Sequence, residues 1–237
     1  MKILLTGYGR MGQMIGELAK NAGHEILAAI DDTNAEQLRT LPAADVAIDF
    51  SHPTLLPALS DYIRRTHTPL CSGTTGMTEA DFCVFDELSS CAPVLYSANY
   101  SLGIAVFKRV LSQLPAYMRE DFDVENMENH HNKKVYAPSG TALLLADAVD
   151  PDRSLTRVCA REGQCGVRTR DELGIVALRG GTTPGEHTVY FFGEDEVLSI
   201  KHEAFSRRIF AAGALKAALA LSGREPGRYT LEEILFG

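Results

Sequence analysis

The chain opens on a short apolar run that ends in glycine, KILLTG (2–7), and passes into a stretch whose apolar residues recur at helical spacing. Met14, Ile15, Leu18 and Ala22 share one face before Gly23 interrupts it. This predicts a strand, a glycine turn and a helix. EILAAID (25–31) and DVAIDF (45–50) read as further strands, and HPTLLPALSDYIRRT (52–66) as a helix with Pro53 near its first turn. PLCSGTTG (69–76) and PVLYSANYS (93–101) continue the alternation on either side of a helix that Thr78 and Asp81 can open as a box-like cap. Repeated strand, helix, strand units imply a parallel, doubly wound sheet through about residue 100.

Beyond that point the rhythm changes. SLGIAVFKRVLSQL (101–114) is helical, FDVENMENHH (122–131) is extended, and a helix starts around PSGTALLLADAV (138–149). Strands then dominate: LTRVCAREG (155–163), GIVALRGG (174–181), EHTVYFFG (186–193) and EVLSIKHEA (196–204). The last two join at a turn around GEDE, with Val189, Phe191 and Val197 on alternating faces. SRRIFAAGALKAALALSG (206–223) is helical again, and a short helix follows behind the capping box of Thr230 and Glu233. The expected fold is α/β: a Rossmann-type doubly wound parallel sheet from residues 1–101 and 208–237, and a second α+β domain with an open mixed sheet from residues 102–207.

Composition narrows the function. Of 237 residues, 45% are hydrophobic and 23% charged, an ordinary globular balance. The net charge of -8 opposes any general nucleic-acid or anionic-membrane surface, so a basic site has to be local. The five cysteines lack paired metal spacing and read as free thiols of a reducing compartment, with no structural metal. No apolar run is long enough for a membrane span, and the immediate strand leaves no room for a signal peptide; the expected location is cytoplasmic.

Two motifs carry chemistry. GYGRMG sets Gly7, Gly9 and Gly12 in the G-x-G-x-x-G spacing, directly after a strand and at the start of a helix. The first glycine makes the turn, the second lets backbone approach a pyrophosphate, and the third permits close helix packing, with the helix N-terminus facing the phosphates. Asp31 and Asp32 follow at the end of the second strand, where a carboxylate reaches a ribose hydroxyl. An acid there favours NADH over NADPH, although Arg10 or Arg39 can offset the repulsion of a 2′-phosphate. The bland alternative is a glycine turn that binds nothing.

The second motif is ENHHNKKVYAPSGTA (128–142), two histidines and two lysines in five residues running into a helix start. Four readings compete. A solvated charged loop is the default. A metal site is disfavoured, because adjacent histidines on a strand point to opposite faces and no Cys or carboxylate completes a set. A nucleophilic Ser139 lacks the G-x-S-x-G elbow. The fourth is an anion cradle with a proton source: Pro138 suits the start of a helix, Ser139 and Thr141 supply hydroxyls at its positive end, and a lysine or histidine supplies the proton.

With GTTG at Gly73 to Gly76, SANYSLG at Ser97 to Gly103 and GEHTV at Gly185 to Val189, these strings resemble the dihydrodipicolinate reductase family, now called 4-hydroxy-tetrahydrodipicolinate reductase, of bacterial lysine biosynthesis, over essentially the whole chain. The resemblance implies NADH- or NADPH-dependent reduction of a small cyclic dicarboxylate, with loss of water, in the diaminopimelate pathway. His130 and Lys134 are then the acid–base residues, with Lys134 the proton donor, and His131, Lys134, Ser139, Gly140 and Thr141 hold the carboxylates. The cofactor would lie against Gly7, Tyr8, Gly9, Arg10, Met11, Gly12 and Asp31, with Asp49, Phe50 and Ser51 flanking its ribose and phosphates. The nicotinamide would approach Gly73, Thr74 and Thr75, and Ser97, Asn99 and Tyr100, with Arg207 also in contact. The family further implies cleft closure by domain rotation and a homotetramer built through the second sheet. Tyr136 departs from the aspartate usual there, and the glycine loop is one residue shorter than in many members. Rival readings are an amino-acid dehydrogenase of the same architecture and a non-enzymatic nicotinamide sensor.

Overall fold

The structure is a computed structural model, and it describes residues 1–114, 118 and 121–237. The chain forms two compact units, Met1–Leu102 with Arg208–Gly237, and Gly103–Arg207.

In the first unit, strands β1 (Lys2–Thr6), β2 (Glu25–Ile30), β3 (Val46–Asp49), β4 (Leu70–Ser72), β5 (Pro93–Tyr96) and β11 (Gly227–Tyr229) form one parallel sheet in the order β11-β5-β4-β3-β1-β2. Helices α1 (Arg10–Asn21), α2 (Leu56–Thr66), α3 (Glu79–Leu88), α6 (Arg208–Leu221) and α7 (Leu231–Phe236) accompany it. Leu4, Ala47, Leu70 and Val94 stand in register and pack with Leu59, Ile63, Phe85 and Leu88 of α2 and α3. Each such fully buried leucine or isoleucine contributes about 1.5–3 kcal/mol. The order reverses between β1 and β3, and the loops leaving those two strands diverge from that point, where open α/β sheets form their ligand crevice.

The capping boxes expected at Thr78/Asp81 and Thr230/Glu233 are both present. Pro53 instead opens a single 3₁₀ turn, Pro53–Leu55, and α2 begins only at Leu56. Strand β11 was not anticipated: three residues between two helices carry too little period to register, and β5 alone supplies the pairing.

The second unit holds a mixed sheet ordered β10-β9-β6-β8-β7, from β6 (Asp123–His130), β7 (Thr156–Val158), β8 (Glu172–Arg179), β9 (Gly185–Phe192) and β10 (Val197–Ala204). β6 runs parallel to β8 and antiparallel to β9. Helices α4 (Leu102–Ser112) and α5 (Gly140–Val149) supply Ile104, Phe107, Leu111, Leu145 and Ala146 to a core with Val124, Leu173, Ile175, Val189 and Phe191. The opposite face leaves Val176, Leu178, Phe192 and Val197 exposed. Among the described residues, no helix is long and apolar enough to cross a membrane.

Candidate active site

At the mouth of β1 the three glycines differ in what holds them. Gly7 has φ +84°, and a Cβ there would sit 2.2 Å from the Phe50 carbonyl oxygen; one on Gly12 would sit 2.0 Å from that of Gly7. Both positions are closed by backbone. A Cβ on Gly9 would meet nothing within 4 Å. Gly9 is also the N-cap of α1, has no side-chain cap, and no acidic residue lies in the first turn. The turn therefore presents open space and unpaired N–H groups free of local negative charge, which is what a pyrophosphate needs. Tyr8 and Arg10 are exposed and Met11 half-buried beside it. Asp31 sits at the end of β2, its Oδ1 accepting from the Thr33 hydroxyl (2.6 Å) and N–H (2.9 Å), and these bonds hold its carboxyl below the usual range.

Asp49 occupies a different position from the one expected of a cofactor contact. It is 1% exposed, and its two oxygens accept four hydroxyl bonds: Thr6 (2.8 Å) and Ser51 (2.6 Å) on Oδ1, Ser72 (2.7 Å) and Thr74 (2.8 Å) on Oδ2. Register explains the meeting, since Thr6, Asp49 and Ser72 are paired across β1, β3 and β4. Thr74 Oγ1 in turn accepts from the Ser51 N–H at 2.9 Å, and Gly73 N–H donates to the Asp49 carbonyl at 2.8 Å. Asp49 thus ties together the loops that carry Gly7, Phe50, Ser51, Gly73 and Thr74. Tyr100 likewise lies beneath this surface rather than on it. It is 2% exposed, its hydroxyl donates to the Ser72 carbonyl (2.7 Å), and its ring sits 5.7 Å from that of Phe50. Thr75 is exposed and Gly73 half-buried, while Ser97 Oγ donates to the Asn99 carbonyl at 2.8 Å.

In the second unit the basic motif is built around a carboxylate. Glu128 and His130 are two apart on β6, hence on one face, and Arg179 stands opposite His130 on β8. Glu128 has 0% exposure; its Oε2 pairs with His130 Nδ1, and its Oε1 accepts from the Ser139 N–H and from Arg179 Nη2, both at 2.9 Å. Burial pushes this carboxyl up, but hydrogen bonds from His130 and Arg179, the charge of His130 and the Ser139 N–H outweigh it and hold the pKa at about 2. Ser139 caps α5, its Oγ accepting from the Ala142 N–H at 3.1 Å. Pro138 therefore precedes the cap rather than opening the helix. Gly140 has open space around its missing Cβ, and Thr141 follows in the first turn.

The lysine loop is pinned by backbone. His131 N–H donates to the Thr183 carbonyl (2.8 Å), Lys134 N–H to the His131 carbonyl (3.1 Å), and Arg179 Nη2 to the Tyr136 carbonyl (2.8 Å). Tyr136 lies under the Lys134 ammonium, with Nζ 4.4 Å from the ring centre. The aromatic face offers the ammonium a cation–π contact. Burial, then the charges of Arg207, Lys134, His130 and Lys133, lower the pKa of His131. Arg207 thus belongs electrostatically to this cluster. Among the described residues, no group of three or more His, Cys, Asp or Glu can hold a metal ion.

The family models described as dihydrodipicolinate reductase, N-terminus, and dihydrodipicolinate reductase, C-terminus, match residues 1–100 and 103–235. The chain belongs to the dihydrodipicolinate reductase family. Its activity is that of a 4-hydroxy-tetrahydrodipicolinate reductase, an oxidoreductase of lysine and diaminopimelate biosynthesis. It is 41% identical to the 4-hydroxy-tetrahydrodipicolinate reductase of Exiguobacterium sp., over 99% of this chain and 95% of the relative. The Staphylococcus epidermidis reductase is 42% identical, over 99% of this chain and all of its own length. A dipicolinate-bound dihydrodipicolinate reductase from Paenisporosarcina sp. TG-14 shares the fold, with TM-score 0.77 over 99% of both chains at 21% identity.

His130, His131, Lys134, Ser139, Gly140 and Thr141 lie together on the end of β6, the loop after it and the start of α5. Sequence reasoning missed Glu128, Arg179 and His187. His187 of GEHTV is paired with Glu128 across β6 and β9, and its ring meets that of His130 edge-on with centroids 5.2 Å apart. Period-two spacing from His130 back to Glu128 was the available signal for the first. Arg179 and His187 needed the register.

Proposed function

We propose that the second unit binds the substrate as a dicarboxylate and protonates it, while the first unit holds NADH or NADPH. The overall change takes up a hydride and a proton and releases water. When bound, the reduced nicotinamide supplies the hydride. The observation that carries this reading is the helix mouth at Ser139, with its free-space glycine at 140, next in the chain to a loop where the charges of Lys133, Lys134 and Arg207 act on His131. A helix terminus alone stabilises an exposed anion by only about 0.3–1 kcal/mol, so two carboxylates call for those added cations. Lys134, half-buried on the Tyr136 ring, donates the proton as water leaves the ring, and His130 works as its acid–base partner. His131, with Ser139, Gly140 and Thr141, holds the carboxylates; Ser139 retains only its hydroxyl proton for this, because its N–H serves Glu128.

For the cofactor, the open space at Gly9 and the uncharged first turn of α1 fit a pyrophosphate, and Asp31 fits a ribose hydroxyl. A carboxylate at that position repels a 2′-phosphate, which supports NADH as the preferred donor. Asp49 and Tyr100 act from below, by holding the loops. The exposed apolar row Val176, Leu178, Phe192 and Val197 supports assembly into a homotetramer through the second sheet. A cytoplasmic location follows from the pathway.

The test is to supply the purified protein with the product of a dihydrodipicolinate synthase reaction and each reduced nicotinamide in turn, following cofactor oxidation. Turnover with both, faster with NADH, is expected. Oxidation with neither would refute the reading, and ligand-dependent partner capture without turnover would favour a sensor.

A further inference from the structure

His130 is set in place by a group that lies out of reach of any ligand. Glu128 is fully buried at the back of the loop, so it can act only through what it touches. An ionised carboxylate only accepts, so the His130 nitrogen beside it, Nδ1, has to carry the hydrogen. In the neutral ring the lone pair is then on Nε2, the edge that faces Gly185, where a Cβ would come within 3.2 Å. His187, the other ring in contact, meets His130 edge-on; among the described residues its Nδ1 is buried without a partner, and burial and the charge of His130 push its pKa down to about 3. The remaining oxygen of Glu128 joins the same imidazole to the Ser139 N–H at the helix mouth and, through Arg179, to the Tyr136 carbonyl of the lysine loop.

We propose that Glu128 is a positioning residue for the reduction: it selects the His130 tautomer that keeps the Nε2 lone pair for proton exchange and locks that ring to the carboxylate cradle. The proposal rests on the reading of His130 as an acid–base residue. No proton passes to Glu128; its charge and geometry are the contribution, as in other carboxylate–imidazole pairs where the amide variant enforces the wrong tautomer.

Glu128→Gln keeps an oxygen for Arg179 and Ser139 but turns an NH₂ toward Nδ1, which must then accept and send the proton to Nε2. The expected result is a fall in kcat of about 100-fold or more, with KM for the diacid changing less than about threefold. In protein selectively ¹⁵N-labelled at histidine, one ring, identified by its loss in His130→Asn, shifts from Nδ1–H to Nε2–H. In the His130→Asn background, Glu128→Gln should cost less than about threefold more, because the residue it acts through is gone. Near-normal turnover of His130→Asn would remove the acid–base reading itself. A slow His130→Asn enzyme on which Glu128→Gln still multiplies its full loss would overturn only the positioning role. Should Glu128→Gln fail to fold, the wild-type spectrum decides: Nε2–H on neutral His130 overturns the proposal, and Nδ1–H upholds it.

Discussion

Asp49 and Glu128 are both buried carboxylates, 1% and 0% exposed, and each gathers several loops of its own unit. Their partners differ in kind. Asp49 accepts from four hydroxyls, of Thr6, Ser51, Ser72 and Thr74. Such partners are neutral at any working pH and can turn either to donate or to accept, which suits a platform that must keep its shape while a ligand comes and goes. Glu128 accepts from an imidazole, a guanidinium and a backbone N–H. Here geometry and protonation are coupled, because the groups that fix the loop are also groups that carry charge. One carboxylate builds a surface; the other builds a proton-handling site.

The largest expected effect lies on the platform. Asp49→Ala strands four hydroxyls in or near the core, and unsatisfied buried donors cost about 1–3 kcal/mol each, so a loss of at least about 3 kcal/mol in urea unfolding is expected. Asp49→Asn should lose far less, since the hydroxyls can reorient toward the amide. Equal losses in the two variants would contradict the picture of a rotor-satisfied hub.

On the other side of the comparison, Lys134→Ala should lower kcat/KM at least about 100-fold while leaving unfolding within about 1 kcal/mol of wild type. Near-normal kinetics would refute its role as proton donor.

Acid gives the next effect, on the Glu128 side. Glu128 is depressed from 4.5 to about 2, and His187 from 6.5 to about 3. Both folded values lie below the unfolded ones, so each contribution is fully present above the unfolded pKa and is lost as pH falls. His187 acts first, from about 6.5 downward, and Glu128 from about 4.5 toward 2. His131 and His202 are lowered in the same sense. The buried His187 imidazole adds up to about 1.4 kcal/mol of lost stability per pH unit within its window. Urea titrations between pH 7 and pH 4.5 should show this slope, and His187→Gln should flatten it; an unchanged slope would count against the buried neutral imidazole.

The smallest effect concerns Tyr136. Replacing it with leucine removes the ring beneath Lys134 and about 0.5–1 kcal/mol of cation–π attraction, a two- to fivefold change in kcat/KM. Tyr136→Phe keeps the ring and should stay near wild type. A larger loss in the phenylalanine variant would show that the hydroxyl, not the ring face, supports the lysine.

Much of this was legible in the chain because it is local. Period-two and period-3.6 patterns, the boxes at Thr78 and Thr230, and the close approach of Gly12 to Gly7 are set by neighbours a few residues away. The basic run before the PSGT helix start is equally local, and it marked the candidate cradle. What stayed hidden depends on pairing between distant segments. Asp49 at a strand end resembles a ligand contact in sequence; only the alignment of β1, β3 and β4 surrounds it with hydroxyls. Tyr100 reads as a surface aromatic until the Ser72 carbonyl takes its hydroxyl.

The sequence by itself determined the order of elements, the alternation that makes two sheets, and the charge and glycine placement of both candidate sites, since each follows from backbone sterics and side-chain period over short spans. Tertiary structure alone decided which polar groups lose water and what they meet when they do. His187 and Arg179 lie roughly 50 to 60 residues from Glu128 in the chain, and adjacent strands bring them within reach of it or its partner. A buried carboxylate becomes a scaffold or a chemical group according to those neighbours, and no local pattern encodes them.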